Sequence, residues 1–206
     1  QTIKDSIISL NSYSQSGIFL NRILDEATGN PWRIKLRSMF HMSSSSNYFY
    51  TPSSIDELER WQTEWVDNPN PDLIPLYEAK LINIFNHRNS SFLSSFPKRA
   101  HRLPPLKSSE LTFNTEICTY YWIRKEIFKS RLEELEWNKD WLICWRSVTD
   151  SRASARTVIA SVIPLCATSN SLGLILPGEH IEPSLIAALV GNISSLPFDY
   201  LSRQKV

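Results

Sequence analysis

The chain has 206 residues, 42% of them hydrophobic and 21% charged, with a formal net charge of +1. That length suffices for one large domain or two small ones with a buried core. Only five glycines stand against 12 prolines and 7 tryptophans, which argues against a glycine-rich loop lying close to a nucleotide phosphate.

In chain order, "GIFLNRILDEATG" (17–29) predicts a short helix ended by Gly29 and Pro31. "WRIKLRSMFHM" (32–42) alternates large and charged residues and predicts a strand. A polar loop, "SSSSNYFYTPSS", leads to Ser54, a candidate cap for a helix through "IDELERWQTEW". "NPNPD" (68–72) is a turn cluster and a candidate sub-boundary in an otherwise single domain over 1–206. "CTYYWI" (118–123) predicts a strand and "RKEIFKSRLEELEW" (124–137) a helix. Three apolar runs at 141–148, 155–164 and 171–178 predict a meander or hairpins. "PSLIAALVGNISSLPFDYLSRQ" (183–204) predicts a C-terminal helix that Pro197 ends or kinks. The class is α+β with mixed or antiparallel strands.

The charge is unevenly placed. From Lys80 to Ser109 there are six Lys or Arg (Lys80, Arg88, Lys98, Arg99, Arg102, Lys107) and no acidic residue. A long loop of this kind is either a solvated surface or a phosphate-binding segment. Arg146, Arg152 and Arg156 cluster around a strand–turn–strand tip. Guanidiniums there either contact phosphates and guanine edges or pair with Asp150 and neighbouring acids.

Three further patterns bear on chemistry. "PDLIPLYEAK" (71–80) places Asp72, Glu78 and Lys80 in a compressed nuclease-like order, two carboxylates for a divalent metal and a lysine for the attacking water. Asp72 sits in a proline-rich turn, however, and the spacing to Glu78 is tight for carboxylates on separate strands. His41, His87, His101 and His180 lack metal-ligand spacing and read as surface or satisfied histidines. Cys118, Cys144 and Cys166 are odd in number and widely spaced, which predicts free thiols. No catalytic, metal or cofactor residue is therefore assigned. No run is apolar and long enough to span a bilayer, so a cytoplasmic protein without membrane contact is the expectation.

The ordered set "NPWRIKLRSMFHM", "PLYEAKLINIFNHR", "YYWI", "WLICWRSVTDSRASARTVIASVIP" and "LVGNISSLPFDYLSRQKV" resembles the C-terminal portion of large bacterial adenine-specific DNA methyltransferases. These are fused type II restriction–modification enzymes and their phage-defence relatives. The resemblance runs from about residue 30 onward, and "RTVIASVIP" followed by "FDYLSRQKV" is its most specific part. It implies a target-recognition domain that binds double-stranded DNA beside a methyltransferase domain of the same polypeptide, which would hold S-adenosylmethionine. The glycine-rich cofactor loop and the NPPY-type motif of such enzymes are missing, and "NPNP" (68–71) lacks the aromatic that stacks on a flipped base. The chain starts at Gln1 and the family pattern continues past Val206, so a segment of a longer enzyme, not catalytic alone, is the expectation. Lys80, Arg88, Lys98, Arg99, Arg102 and Lys107 are then phosphate candidates, and Arg146, Arg152 and Arg156 base-edge candidates. The alternatives are a metal-dependent nuclease using Asp72, Glu78 and Lys80, or a structural domain that holds a partner.

Overall fold

A computed structural model describes residues 30, 32–111, 117–149 and 155–203. They divide into two compact units, a smaller one within 1–35, 149–158 and 176–206 and a larger one within 36–148 and 159–175. The turn at 68–72 lies inside the larger unit. The helix expected over 17–29 falls outside the described residues.

The described elements are β1 (Lys35–Arg37), β2 (Phe49–Tyr50), α1 (Ile55–Asp67), β3 (Leu73–Tyr77), β4 (Tyr121–Arg124), α2 (Lys125–Leu135), β5 (Trp141–Arg146), β6 (Ala160–Pro164), β7 (Ala167–Thr168), β8 (Leu172–Leu176), α3 (Pro183–Ile193) and α4 (Leu196–Arg203). The strands form two four-stranded sheets, ordered β2-β4-β3-β7 and β1-β8-β5-β6. The α+β class read from the sequence is the observed one, and the C-terminal helices are present.

α1 begins as its sequence dictates. Ser54 Oγ accepts the Glu57 amide at 3.2 Å, while the Glu57 carboxylate turns back to the Ser53 amide at 2.8 Å and hydroxyl at 2.6 Å. Donors with no intrahelical partner are thus satisfied from both directions. The Ser53 hydrogen bonds hold Glu57 below the usual carboxylate range. The helix buries Leu58 and packs Trp61 and Trp65 against a cluster of Leu58, Cys118 and Trp122 of β4. Trp61 and Trp122 meet edge to face, with centroids 5.8 Å apart.

β3 is antiparallel to β4 and parallel to the two-residue β7. Pro75 sits in the middle of β3, which is unusual because proline has no amide to donate. β7 pairs only with Leu76 and Tyr77, so Pro75 lies where β3 has a single strand neighbour. In the other sheet β5 is antiparallel to both β6 and β8. The expected meander over 141–178 is therefore interrupted. β5 and β6 form a hairpin, the chain then lends β7 to the first sheet, and it returns as β8 on the far edge of β5. The apolar run Leu142–Cys144 is buried, and covering it takes strands on both edges. Gly173 stands opposite Trp145, and a Cβ there would come within 2.3 Å of the indole.

Two expected strands are shorter than the sequence suggests. In 32–42 only Lys35–Arg37 is strand, since Asn30 ties the start into a turn by bonding both the amide and the carbonyl of Ile34. In 155–164 only Ala160–Pro164 pairs, because the amides of Thr157 and Val158 are taken by a side chain, described below. The C-terminal run is two helices bent by 54°. Pro197 opens the second of them, at a position where its missing amide costs nothing. No single described helix is long and apolar enough to cross a membrane.

All three cysteines are free and buried. Burial pushes the Cys144 thiol up to about 12, and burial with Cys144 nearby raises the Cys166 thiol well above its ordinary value. Neither supplies thiolate at neutral pH. A thiol reagent is expected to label the native chain slowly and to count three thiols in denaturant without reductant. A count of one would reveal a disulfide.

Candidate nucleic-acid interface

The acid-free segment after β3 is not a free loop. It enters through a 3-10 turn, Ala79–Leu81, and is pinned by buried Leu81, Ile82 and Phe92. A second short turn, Phe92–Ser95, is held by the Phe92 amide on the Cys118 carbonyl and by Ser91 Oγ accepting the Cys118 amide. Apolar anchors inside a polar sequence of no period explain why this docking was illegible beforehand.

Its inner cations are committed to the protein. Glu78, 3% exposed, lies one residue past β3 and accepts a hydrogen bond from Arg99. Arg99 also covers the Tyr121 ring, 5.1 Å from its centroid. Lys80 Nζ donates to the Ala100 carbonyl at 2.7 Å and sits 5.0 Å from the Phe92 centroid. Burial lowers the Lys80 pKa, against a smaller opposing pull from Glu78. These contacts close the segment onto the sheet.

The outer cations are presented differently. Lys98, Arg102 and Lys107 are exposed, as is His101, and none of the three cations forms an ion pair with a described residue. Arg88 is half-buried, with its amide on Asn86 Oδ1. Of the residues expected to face phosphate, Lys98, Arg102 and Lys107 are thus exposed, Arg88 is half-buried, and Lys80 and Arg99 are engaged within the protein.

The turn arginines divide as well. Arg146, at the end of β5, donates to the Ile82 carbonyl, and burial lowers its pKa. Its Nε is buried with no hydrogen-bond partner among the described residues. Arg156, in the smaller unit, donates to the carbonyl of Ser194, the C-cap of α3. A cation there suits the negative end of the helix dipole. Arg152 and Asp150 lie outside the described residues.

The nuclease-like pattern is pulled apart by β3. Asp72 and Glu78 bracket the strand, and six residue steps at about 3.3 Å put them roughly 20 Å apart. Two carboxylates so placed cannot share one metal ion. Among the described residues no group of three or more His, Cys, Asp or Glu is placed to hold one.

Within the larger unit, the same segment carries a feature that charge patterning did not find. The tight turn Asn83–Asn86 closes on itself through amide–carbonyl bonds of 2.7 and 2.9 Å. It carries Phe85 at its tip, 64% exposed. The sequence signal available was the pair of asparagines flanking "IF" in "NIFN".

Compared with protein-family models and with curated proteins, the sequence matches none.

Proposed function

We propose that this chain is a DNA-recognition module, the target-recognition part of a restriction–modification-type adenine methyltransferase. The observation that carries this is the split within 80–109. Lys80 and Arg99 anchor the segment, which leaves Lys98 and Arg102 facing solvent within the acid-free run, with Lys107 exposed at its end, where the Glu110 carboxylate takes the Lys107 amide. Exposed cations on an anchored segment neutralise phosphates and release counterions on binding, and they fix register without reading sequence. The ordered resemblance from residue 30 onward supports the assignment to this enzyme class. The methyl transfer and S-adenosylmethionine then belong to a neighbouring domain, and the chain by itself neither methylates nor cuts DNA.

The test is duplex binding followed by anisotropy across a salt series. Lys98→Ala and Arg102→Ala are each expected to weaken binding to all duplexes alike and to flatten the log–log salt slope by about one unit. Unchanged slopes in both variants would remove the phosphate role of the segment.

A second reading, an interaction domain, is favoured by one observation in the smaller unit. Leu185 and Leu196 are large apolar side chains left 50% and 73% exposed. If the duplex assay fails, that surface is where a partner domain would be sought.

A further inference from the structure

The Asn83–Asn86 turn combines features that ordinary loop residues do not. Phe85 has φ 54°, in the left-handed region where a bulky side chain is disfavoured. Asparagine or glycine would adopt this backbone more readily. The turn is nevertheless firmly held. Phe85 donates its amide to the Ala160 carbonyl on the β6 edge at 3.2 Å. Asn83 Oδ1 accepts the Ile84 amide at 2.9 Å, and Asn86 Oδ1 accepts that of Arg88 at 2.8 Å. Arg146 braces the preceding residue through the Ile82 carbonyl. A strained backbone, fixed from several sides, thus projects an aromatic ring that buries little of itself.

Beside the ring lies an open groove of about 460 Å³ lined by Phe85, His87, Trp141 and residues 161–164 of β6. Its walls are mostly apolar and include two aromatic rings. His87 adds a polar edge, and burial followed by the charge of Arg88 lowers its pKa, favouring the neutral ring. The surrounding chain is cationic, with no acidic residue from 79 to 109. An apolar face carried on a cationic segment is complementary to a nucleobase on a phosphate backbone.

We infer that Phe85 is a stacking platform for one unstacked nucleobase of the bound DNA, received in the groove beside Trp141. This rests on the DNA-recognition reading and goes beyond it, since it assigns a base-contacting residue outside the arginines. Stacking tolerates any base, because each presents a π face, so Phe85 would hold an extruded base open and leave sequence to be read elsewhere.

The experiment uses the chain with two duplexes, one fully paired and one bearing a single unpaired 2-aminopurine. The unpaired probe is expected to bind more tightly and to lose fluorescence as it stacks. Phe85→Ala should weaken binding to the bulged duplex about 5- to 150-fold, the range of one aromatic–base stack, with the salt slope unchanged. Phe85→Trp should retain binding. Phe85→Asn separates function from folding: the asparagine suits the left-handed backbone, so Tm should hold or rise while binding falls. Wild-type affinity in Phe85→Asn, with a normal salt slope, would overturn the stacking role and leave DNA recognition standing. Failure of the wild-type chain to bind either duplex would overturn both.

Discussion

Arg99→Ala is expected to lower folding stability by about 3 kcal/mol, far more than loss of a surface arginine costs. The reason is what it leaves behind. Glu78 is 3% exposed, and Arg99 holds one of its oxygens. The other oxygen is buried and has no hydrogen-bond partner among the described residues. Without the guanidinium, a buried carboxylate is left without its partner, which destabilises the fold. Arg99 itself is 34% exposed in its side chain, so water recovers part of the loss and the lower end of the usual range for a broken buried pair applies. Urea melts of Arg99→Ala, Glu78→Gln and the double variant read the coupling directly. The double variant should be more stable than Arg99→Ala alone, because the amide removes the stranded charge. A stable Arg99→Ala whose only defect is weaker DNA binding would return this residue to the phosphate group, where its sequence position alone placed it.

The same contrast shows what the sequence could and could not convey. Composition, apolar runs and capping residues marked the class and α1, because each is a local signal: Ser54 and Glu57 act within one helical turn. The acid-free run was also visible, since charge is read by counting. Which of its cations are spent on the fold was not, because the partners are remote. Lys80 bonds Ala100, twenty residues on, and Arg146 bonds Ile82, sixty-four residues back. The β8 crossover and the short β7 were hidden for a related reason. Periodicity gives the face of a strand and says nothing of its neighbour. Phe85 was missed because an aromatic in an apolar run, "KLINIFNHR", looks like core until the turn that expels it is seen.

The segment at 155–158 and helix α4 are bonded to each other. Asp199, in "FDYLSR", is 5% exposed and accepts the amides of both Thr157 and Val158, each at 2.7 Å. Arg203 in the same helix donates to Thr157 Oγ1 at 3.0 Å and to the Ala155 carbonyl at 3.1 Å. A side-chain clamp thus takes the place of a β partner over 155–158, which is why the apolar run "RTVIASVIP" pairs only in its second half. The stretches "RTV" and "FD--SR" are thus a mutual fit of backbone and side chain, an architectural role that carries no direct information about bases.

Asp199→Ala is therefore expected to be among the most damaging substitutions in the smaller unit, at about 3 kcal/mol or more. Two hydrogen bonds to a charged acceptor disappear, each worth roughly 1.5–3 kcal/mol, and two amides lose their partner in a protein interior. Asp199 also lies in the first turn of α4, where a negative charge suits the helix dipole, so some helix stability goes with it. Asp199→Asn keeps one oxygen acceptor and should lose about half as much. Amide hydrogen exchange gives the sharpest reading. The Thr157 and Val158 amides should be protected in the native chain and should exchange near the unprotected rate in Asp199→Ala. Arg156 reports the consequence, because it reaches the Ser194 carbonyl only while the 155–158 segment is held. Loss of Ser195 amide protection alongside Thr157 would mean that the clamp also steadies the end of α3. Retained protection at Thr157 and Val158 in Asp199→Ala would show instead that the strand continues past Ala160 in solution, with Asp199 an incidental neighbour.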